Sequence, residues 1–563
     1  MITAFMPKEG FSTLLQKNWK SGVTVALISI PLSIALSIAS GAGPIPGIIT
    51  GVWATLIAAI FGGNNYNIIG AAGALTTVLF AATLSAPLGL GALALPLIAI
   101  SSGAIILLTY LCRADRFLYY IPGSVMYGFA SGVAIAIAAS QLFDASGLSA
   151  LKRTGTFIGD IALFSSHIVE TGAAALITFT AFLAGILVWK RFLPRLPAVI
   201  PAAVIGVAFG WLNAHVFHLD IMSLGEKFGG IDGALFIAVP WRAFSSLVAS
   251  PEHWSWLLTT AGTVALISIL ETLITAKLAD RIKHEDSSSR KELFGLALAN
   301  IGSGIAGGLP ATGVFIRTGA NIKAGATHRL SAAIAAAATA TIALLVLPAF
   351  AYIPMPVIAA ILVNTAIGLI EVKEFKTYWK HERASFFIAF AVAAITVLED
   401  AGTGVIIGAI AALLLFVDSI SRGRFDAIYN YANGEREEVR GSKVLSLPPD
   451  KKVHVLSYSI AGIVSYIEAE RHAKNLREAA NARTVKSAII RLRNLYVLDY
   501  EGAEMLAEAA LAFERARKPI VFSSASERVK ERIRGTDAFS SLKKQAIFTS
   551  KTAEALEILN KRS

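Results

Sequence analysis

Gly307-Gly308-Leu309-Pro310-Ala311-Thr312-Gly313-Val314-Phe315-Ile316-Arg317-Thr318-Gly319 and an earlier counterpart, Phe61-Gly62-Gly63 followed by Ile69-Gly70-Ala71-Ala72-Gly73-Ala74-Leu75, decide the reading of this sequence. Both are apolar, glycine-rich and preceded by a Gly-Gly pair, and both are too short for a spanning helix, which takes about 20 apolar residues. Short, interrupted segments at matching positions in two halves of a membrane chain point to a substrate site near the midplane. The N-terminus of each would offer backbone N–H groups to an anion. Glycines that merely allow close helix packing are the plainer reading of either segment alone. The matched pair favours the site.

Working outward, the chain of 563 residues is 55% hydrophobic and only 16% charged, with a mean hydropathy of +0.63. That composition excludes an ordinary soluble domain and leaves room for more than ten spans between Gly22 and Phe416. Apolar runs fall at about 22–40, 46–61, 72–86, 89–112, 117–143, 170–189 and 196–214, a first set of seven. A second seven follows at about 255–276, 292–308, 314–325, 329–352, 355–371, 384–398 and 402–420. With an odd number in each half, the halves enter from opposite sides, as an inverted repeat. The net charge of +12 follows the positive-inside rule rather than suggesting a nucleic-acid partner. Basic clusters at Lys17/Lys20, Arg113/Arg116, Lys190/Arg191/Arg195, Lys277 to Lys291, Lys373 to Arg383 and Arg422/Arg424 all land on one side, the cytoplasm. The long alternate linkers hold only Lys152, Arg153, Lys227 and Arg242. Residues 1–20 read as a cytoplasmic N-terminus without a cleaved signal, and 21–424 as the membrane region, with halves at about 21–216 and 254–424.

Residues 425–439 read as a linker, after which the composition becomes charged and soluble. Short strands at 453–459, 487–493, 519–525 and 546–550 alternate with helical periods at 468–482, 502–516 and 527–534. The alternation predicts a small cytoplasmic α/β domain over 440–563.

Glu271 and Arg317 are the ionisable residues well inside apolar spans. A charge at the bilayer centre costs about 2.5 to 3.5 kcal/mol, so such residues usually face a cavity and carry function. Arg317 reads as an anion partner, helped by the N–H groups of Phe315 and Ile316, and Glu271 as a protonation or cation site; a structural salt bridge between them is the alternative. Thr275, four residues after Glu271, shares its helix face and could add a cation ligand, whereas Thr272 is less well placed. Pro31 sits mid-span in Ile30-Pro31-Leu32-Ser33, where it opens the helix and lets the Ser33 hydroxyl face a site. The single cysteine, Cys112, excludes an internal disulfide and reads as an apolar filler. Gly41-Ala42-Gly43-Pro44 is a turn rather than a nucleotide loop. His215, His218 and His253 lack further ligands at metal spacing, and no catalytic constellation supports an enzyme.

These residues resemble the SulP sulfate-permease family, bacterial relatives of solute carrier family 26, over nearly the whole chain. The resemblance rests on Ser21-Gly22-Val23 through Pro31, Ser40-Gly41-Ala42, Leu270-Glu271 through Asp280 and His284, Lys291-Glu292-Leu293, Gly307-Gly308 through Arg317, Ala320-Asn321-Ile322 and Ala324-Gly325. The C-terminal unit, with Leu498-Asp499-Tyr500-Glu501-Gly502, resembles the family's STAS domain, Tyr500 standing where sporulation regulators carry a phosphorylatable Ser. The resemblance implies a helical membrane protein of fourteen segments, a 7+7 inverted repeat with two half-helices forming core and gate domains, moving as an elevator in a homodimer of the inner membrane. It places the anion between the half-helix N-termini, with Ala72, Gly73 and Ala74 from the third segment and Val314, Phe315, Ile316 and Arg317 from the tenth, and coupling at Glu271 and Thr275. Where many members have Gln after the first-segment proline, this chain has Leu32. Where many have Gly-Pro in the third segment, it has Gly73-Ala74. The Glu271 and Arg317 motif is closer to members that carry bicarbonate or C4-dicarboxylates than to sulfate carriers.

The expected function is therefore secondary active transport of a small anion (bicarbonate, a C4-dicarboxylate or sulfate) by symport with H+ or Na+. The expected partners are the anion, membrane lipid, a second copy of the chain and a cytoplasmic regulator of the STAS domain, with no cofactor. An uncoupled channel or exchanger is the alternative, and a membrane anchor for a signalling STAS module a third, which needs neither matched half-helices nor buried charges.

Overall fold

A computed structural model of the chain describes residues 10–113, 122–193, 197–229, 234–239, 241–399, 401–421, 425–442, 445–448, 451–542 and 547–562. Arg116, Arg195, Arg422 and Arg424 of the charge pattern lie outside the described residues. The chain divides into two compact units, Met1–Ala412 and Leu413–Ser563.

A helix falls on each apolar stretch marked in the sequence. Among the described residues nine helices are long and apolar enough to cross a membrane. The Phe11–Ala39 helix runs through Pro31 without ending there. It packs against both Pro44–Phe61 and Leu330–Phe350, and that burial outweighs the one backbone bond the proline removes. Cys112 is not a filler; it is exposed at the end of Ala94–Leu111.

Two helices are conspicuously short. Gly73–Ser85 has 13 residues, about 20 Å, and Phe315–Lys323 has 9, about 14 Å, at 1.5 Å per residue. Each follows a two-residue strand, β1 (Ile69–Gly70) and β2 (Thr312–Gly313). The strands pair antiparallel, Ile69 with Gly313 and Gly70 with Thr312.

The helix packing repeats between the halves. Phe11–Ala39 packs on Leu330–Phe350 and Phe315–Lys323, and Pro251–Lys283 packs on Ala94–Leu111 and Gly73–Ser85. Pro44–Phe61 lies on Leu330–Phe350 as Ser289–Ile305 lies on Ala94–Leu111, and Gly123–Ser140 pairs with Arg383–Leu398 as Met355–Leu369 pairs with Ala173–Phe192. Each contact maps onto its partner when the helices of one half are exchanged for those of the other in order.

The second unit is a sheet with helices on both faces. Its strands are β3 (Phe425–Tyr431), β4 (Arg436–Ser442), β5 (Val453–Val464), β6 (Val485–Leu498), β7 (Ile520–Ser523) and β8 (Ile547–Thr549), in the order β4-β3-β5-β6-β7-β8. The last four run parallel, and β3 joins β5 antiparallel. The stretch read as a linker, 425–439, instead carries β3 and most of β4. Phe425, Ala427, Tyr429 and Tyr431 alternate inward along β3 and pack into the main core, an alternation that the charged residues of β4 obscured in the sequence. A final helix, Thr552–Arg562, closes the other face through Ala555 and Leu559.

Under the main helices lies a buried polar chain. Asn475 Nδ2 donates to the Tyr458 hydroxyl at 3.2 Å, and that hydroxyl lies 2.8 Å from His472 Nδ1. Which of the two donates depends on the ring's tautomer. Burial, aided by the Arg471 charge, pushes the His472 pKa down to about 4. A folded pKa below the ordinary value of about 6.5 means that between those values the unfolded chain binds the proton and the folded chain does not. Stability is therefore full above about pH 6.5 and falls toward pH 4, by roughly 2 kcal/mol at pH 5. Thermal unfolding of a 425–563 fragment checks this: the midpoint should drop between pH 7 and pH 5, and His472→Gln should flatten the drop.

Candidate functional site

The β1–β2 ladder brings the starts of the two short helices together. Val314 N–H donates to the Ile68 carbonyl at 2.9 Å, extending the ladder by one bond. Ala72 and Val314 are the N-caps of Gly73–Ser85 and Phe315–Lys323, and neither end is closed by a side-chain cap bond. The first N–H groups of an uncapped helix need an outside acceptor, and the helix dipole favours an anion there. Ala72, Gly73, Ala74 and Val314 are buried, while Phe315 is 41% exposed. The start of the first short helix is covered by the side chains of Leu36, Ile137 and Leu369, which lie within 4 Å of the position a Gly73 Cβ would take.

Arg317 is 0% exposed, the largest fully buried side chain. Its Nη2 donates to Ser33 Oγ at 2.9 Å, so the residue after Pro31 and Leu32 does face the site. Nε and Nη1 are buried without a protein partner. Nη1 lies over Gly70, 2.5 Å from where a Cβ would sit, so only glycine leaves the guanidinium its place. A buried cation with two unmet donors is costly in a protein interior and matches a ligand of opposite charge.

Glu271 lies on Pro251–Lys283, beside β2. Its carboxyl is in reach of the Thr312 hydroxyl, and its Oε2 is buried without a partner. Among the described residues no ion pair joins Glu271 to Arg317, so the salt-bridge alternative is not what the geometry presents. Thr275 Oγ1 donates to the Gly313 carbonyl at 3.2 Å. Thr272, set aside in the sequence, proves better placed: its Oγ1 accepts from Gly313 N–H at 2.8 Å and lies 3.0 Å from Thr312 Oγ1. The helix face carrying Glu271 thus fastens both backbone groups of Gly313.

All nine residues singled out for the site lie on or beside the β1–β2 ladder. Sequence reasoning ranked Thr272 too low and singled out neither Thr312 nor the Asn67 and Glu292 pair for the site. The run Asn64-Asn65-Tyr66-Asn67 carried a signal, since it is polar in the middle of apolar sequence. Glu292 stood at the edge of an apolar run, yet it is only 2% exposed. Among the described residues no group of three or more His, Cys, Asp or Glu side chains could hold a metal ion.

The sequence model of the Sulfate permease family matches residues 15–392. The chain belongs to the sulfate permease family, a family of transporters and not of enzymes. The chain is 27% identical over 534 residues to the putative sulfate transporter YvdB of Bacillus subtilis, covering 95% of this chain and 96% of that one. It is 26% identical over 428 residues to the bicarbonate transporter BicA of Picosynechococcus, covering 74% and 72%. The solved transmembrane domain of a cyanobacterial BicA superposes with a TM-score of 0.61 at 26% identity, covering 72% of this chain and 99% of that one. Murine Slc26a9 in an inward-facing state superposes over 100% of this chain and 94% of that one, with a TM-score of 0.81 at 14% identity, which speaks for the fold. The protein is thus a multi-pass membrane protein with the solute carrier 26 fold, and its C-terminal unit is consistent with a STAS domain.

Gly70→Ala is expected to displace Arg317 while leaving the outer packing intact. At equal amounts of folded protein, anion uptake should fall by about tenfold or more, the scale of one lost hydrogen bond to a charged group; uptake at the wild-type level would contradict the placement of Arg317.

Proposed function

We propose that this sulfate permease family member is a coupled carrier of small anions. The observation that carries the reading is the buried Arg317 guanidinium, with Nε and Nη1 unmet, beside two uncapped helix starts. The anion is held by Arg317 and by N–H groups of Gly73, Ala74, Phe315 and Ile316, with Ala72 and Val314 shaping the ends. Names of relatives support sulfate and bicarbonate as the substrate class, and the family resemblance adds C4-dicarboxylates.

Because Glu271 and Arg317 do not neutralise each other, each needs its own counter-charge. The anion answers Arg317, and H+ or Na+ answers Glu271, with the lone pairs of the Thr275 hydroxyl available to a cation. A site loaded with both is closer to neutral, which lowers the cost of carrying it through the hydrocarbon region. The repeated helix packing supports fourteen segments arranged as a 7+7 inverted repeat, in which the core with the half-helices moves as an elevator against a gate. The positive-inside pattern supports an inner-membrane orientation with the N-terminus and the STAS domain in the cytoplasm. The resemblance supports a homodimer whose STAS domain meets a cytoplasmic regulator.

Proteoliposome uptake of labelled bicarbonate, fumarate and sulfate under imposed pH or sodium gradients tests this. One anion should be taken up in response to a gradient, and Glu271→Gln should lose the gradient dependence. Flux that ignores every gradient and is unchanged in Glu271→Gln would favour an uncoupled channel or exchanger.

A further inference from the structure

A second buried carboxylate, outside the anion site, is wired to both half-helices. Glu292 lies near the start of Ser289–Ile305 and is 2% exposed. Its Oε2 accepts from the backbone N–H groups of Gly63 at 2.7 Å and Asn64 at 2.8 Å. Its Oε1 accepts from Asn67 Nδ2 at 2.7 Å. These donors come from the chain that leads into β1 and the first half-helix. Arg329, whose Nη1 donates to the Gly62 carbonyl at 2.8 Å, supplies the compensating charge.

Asn67 passes the constraint on. Its Oδ1 accepts from the Thr318 hydroxyl at 3.0 Å, and Thr318 is the neighbour of Arg317 on the second half-helix. The same hydroxyl oxygen accepts from Ile68 N–H at 3.0 Å. Because the Glu292 carboxylate can only accept, it holds the amide with Nδ2 toward itself and Oδ1 toward the Thr318 hydroxyl. Asn67 Nδ2 also lies 2.9 Å from where a Gly313 Cβ would sit, so the amide is wedged against β2. One carboxylate therefore fixes the loop before the first half-helix, and through one amide the first turn of the second.

We infer that Glu292 and Asn67 form a positioning pair that sets the register of the two half-helix N-termini, and hence the anion affinity, without touching the anion. This rests on the proposed anion site. Register matters because converging N–H groups and a guanidinium recognise an anion only when held close to the bound geometry.

The pair permits an exchange experiment. In Glu292→Gln, the remaining side-chain oxygen stays on the two backbone N–H groups, so the new amide nitrogen faces Asn67 Nδ2, donor against donor, and turning the Asn67 amide over relieves that only by taking Oδ1 away from the Thr318 hydroxyl. In Asn67→Asp, carboxylate faces carboxylate. In the double variant Glu292→Gln/Asn67→Asp the two groups have changed places. The amide now at position 292 donates to the carboxylate at position 67, that carboxylate still accepts from Thr318, and one negative charge remains near Arg329. Full-length protein is purified, and the concentration of bicarbonate or sulfate giving half-maximal thermal stabilisation is measured for each variant, with the unfolding midpoint in the absence of anion recorded alongside. This equilibrium reading needs no gradient, so it stands apart from whether transport is coupled. Each single variant should raise the half-saturating concentration by about tenfold, the scale of a buried polar group left unmet, and the double variant should return it to within about threefold of wild type. Single variants that lower the unfolding midpoint while leaving half-saturation unchanged would make the pair structural only and overturn the inference. So would a double variant whose midpoint recovers while its half-saturation stays raised.

Discussion

Everything in the membrane unit turns on four residues of backbone, Ile69, Gly70, Thr312 and Gly313, paired as a ladder. Non-helical backbone buried inside a membrane protein is tolerable only when its N–H and C=O groups are met from within the protein. Here the strands meet each other's groups, and side chains meet most of the rest: Thr55 on the Ile69 carbonyl, Thr272 and Thr275 on Gly313, and Thr318 on Ile68 N–H. Once the ladder is satisfied, the two half-helices can begin where a continuous helix would not, and neither start is closed by a side-chain cap. The glycines follow from the same constraint, because Arg317 occupies the space above Gly70 and Asn67 and Thr272 close in on Gly313.

The electrostatics follow from the ladder as well. It sets Arg317 and Glu271 apart, so that each buried charge keeps an unmet oxygen or nitrogen instead of cancelling the other. Glu292 is the contrast. Both of its oxygens are met, by three donors, and the Arg329 charge offsets its own, which is what a buried structural charge requires. Burial alone does not separate the two kinds of residue; the unmet atoms do.

Much of this was legible in the sequence because it was written in period and composition. The apolar runs, the two broken segments and the intramembrane Glu271 and Arg317 all showed locally. Thr272, Thr312, Asn67 and Glu292 did not, because their importance lies in bonds between residues far apart in the chain, such as Asn67 to Glu292 and Ile68 to Thr318. Ser33 was reachable only through the expectation that Pro31 exposes it. In the C-terminal unit β3 was hidden by charged β4 beside it, so the domain was read as starting too late. The parallel strands β5 to β8 were visible because their apolar runs alternate with amphipathic helices.

The central claim is that the anion sits between the two half-helix starts on Arg317, and a structure of the full chain with its transported anion bound tests it most directly. Density for the anion within hydrogen-bond reach of Arg317 Nε or Nη1 and of N–H groups from both Gly73–Ser85 and Phe315–Lys323 is the predicted result. An anion bound elsewhere, with Nε and Nη1 of Arg317 still unmet, would contradict the account.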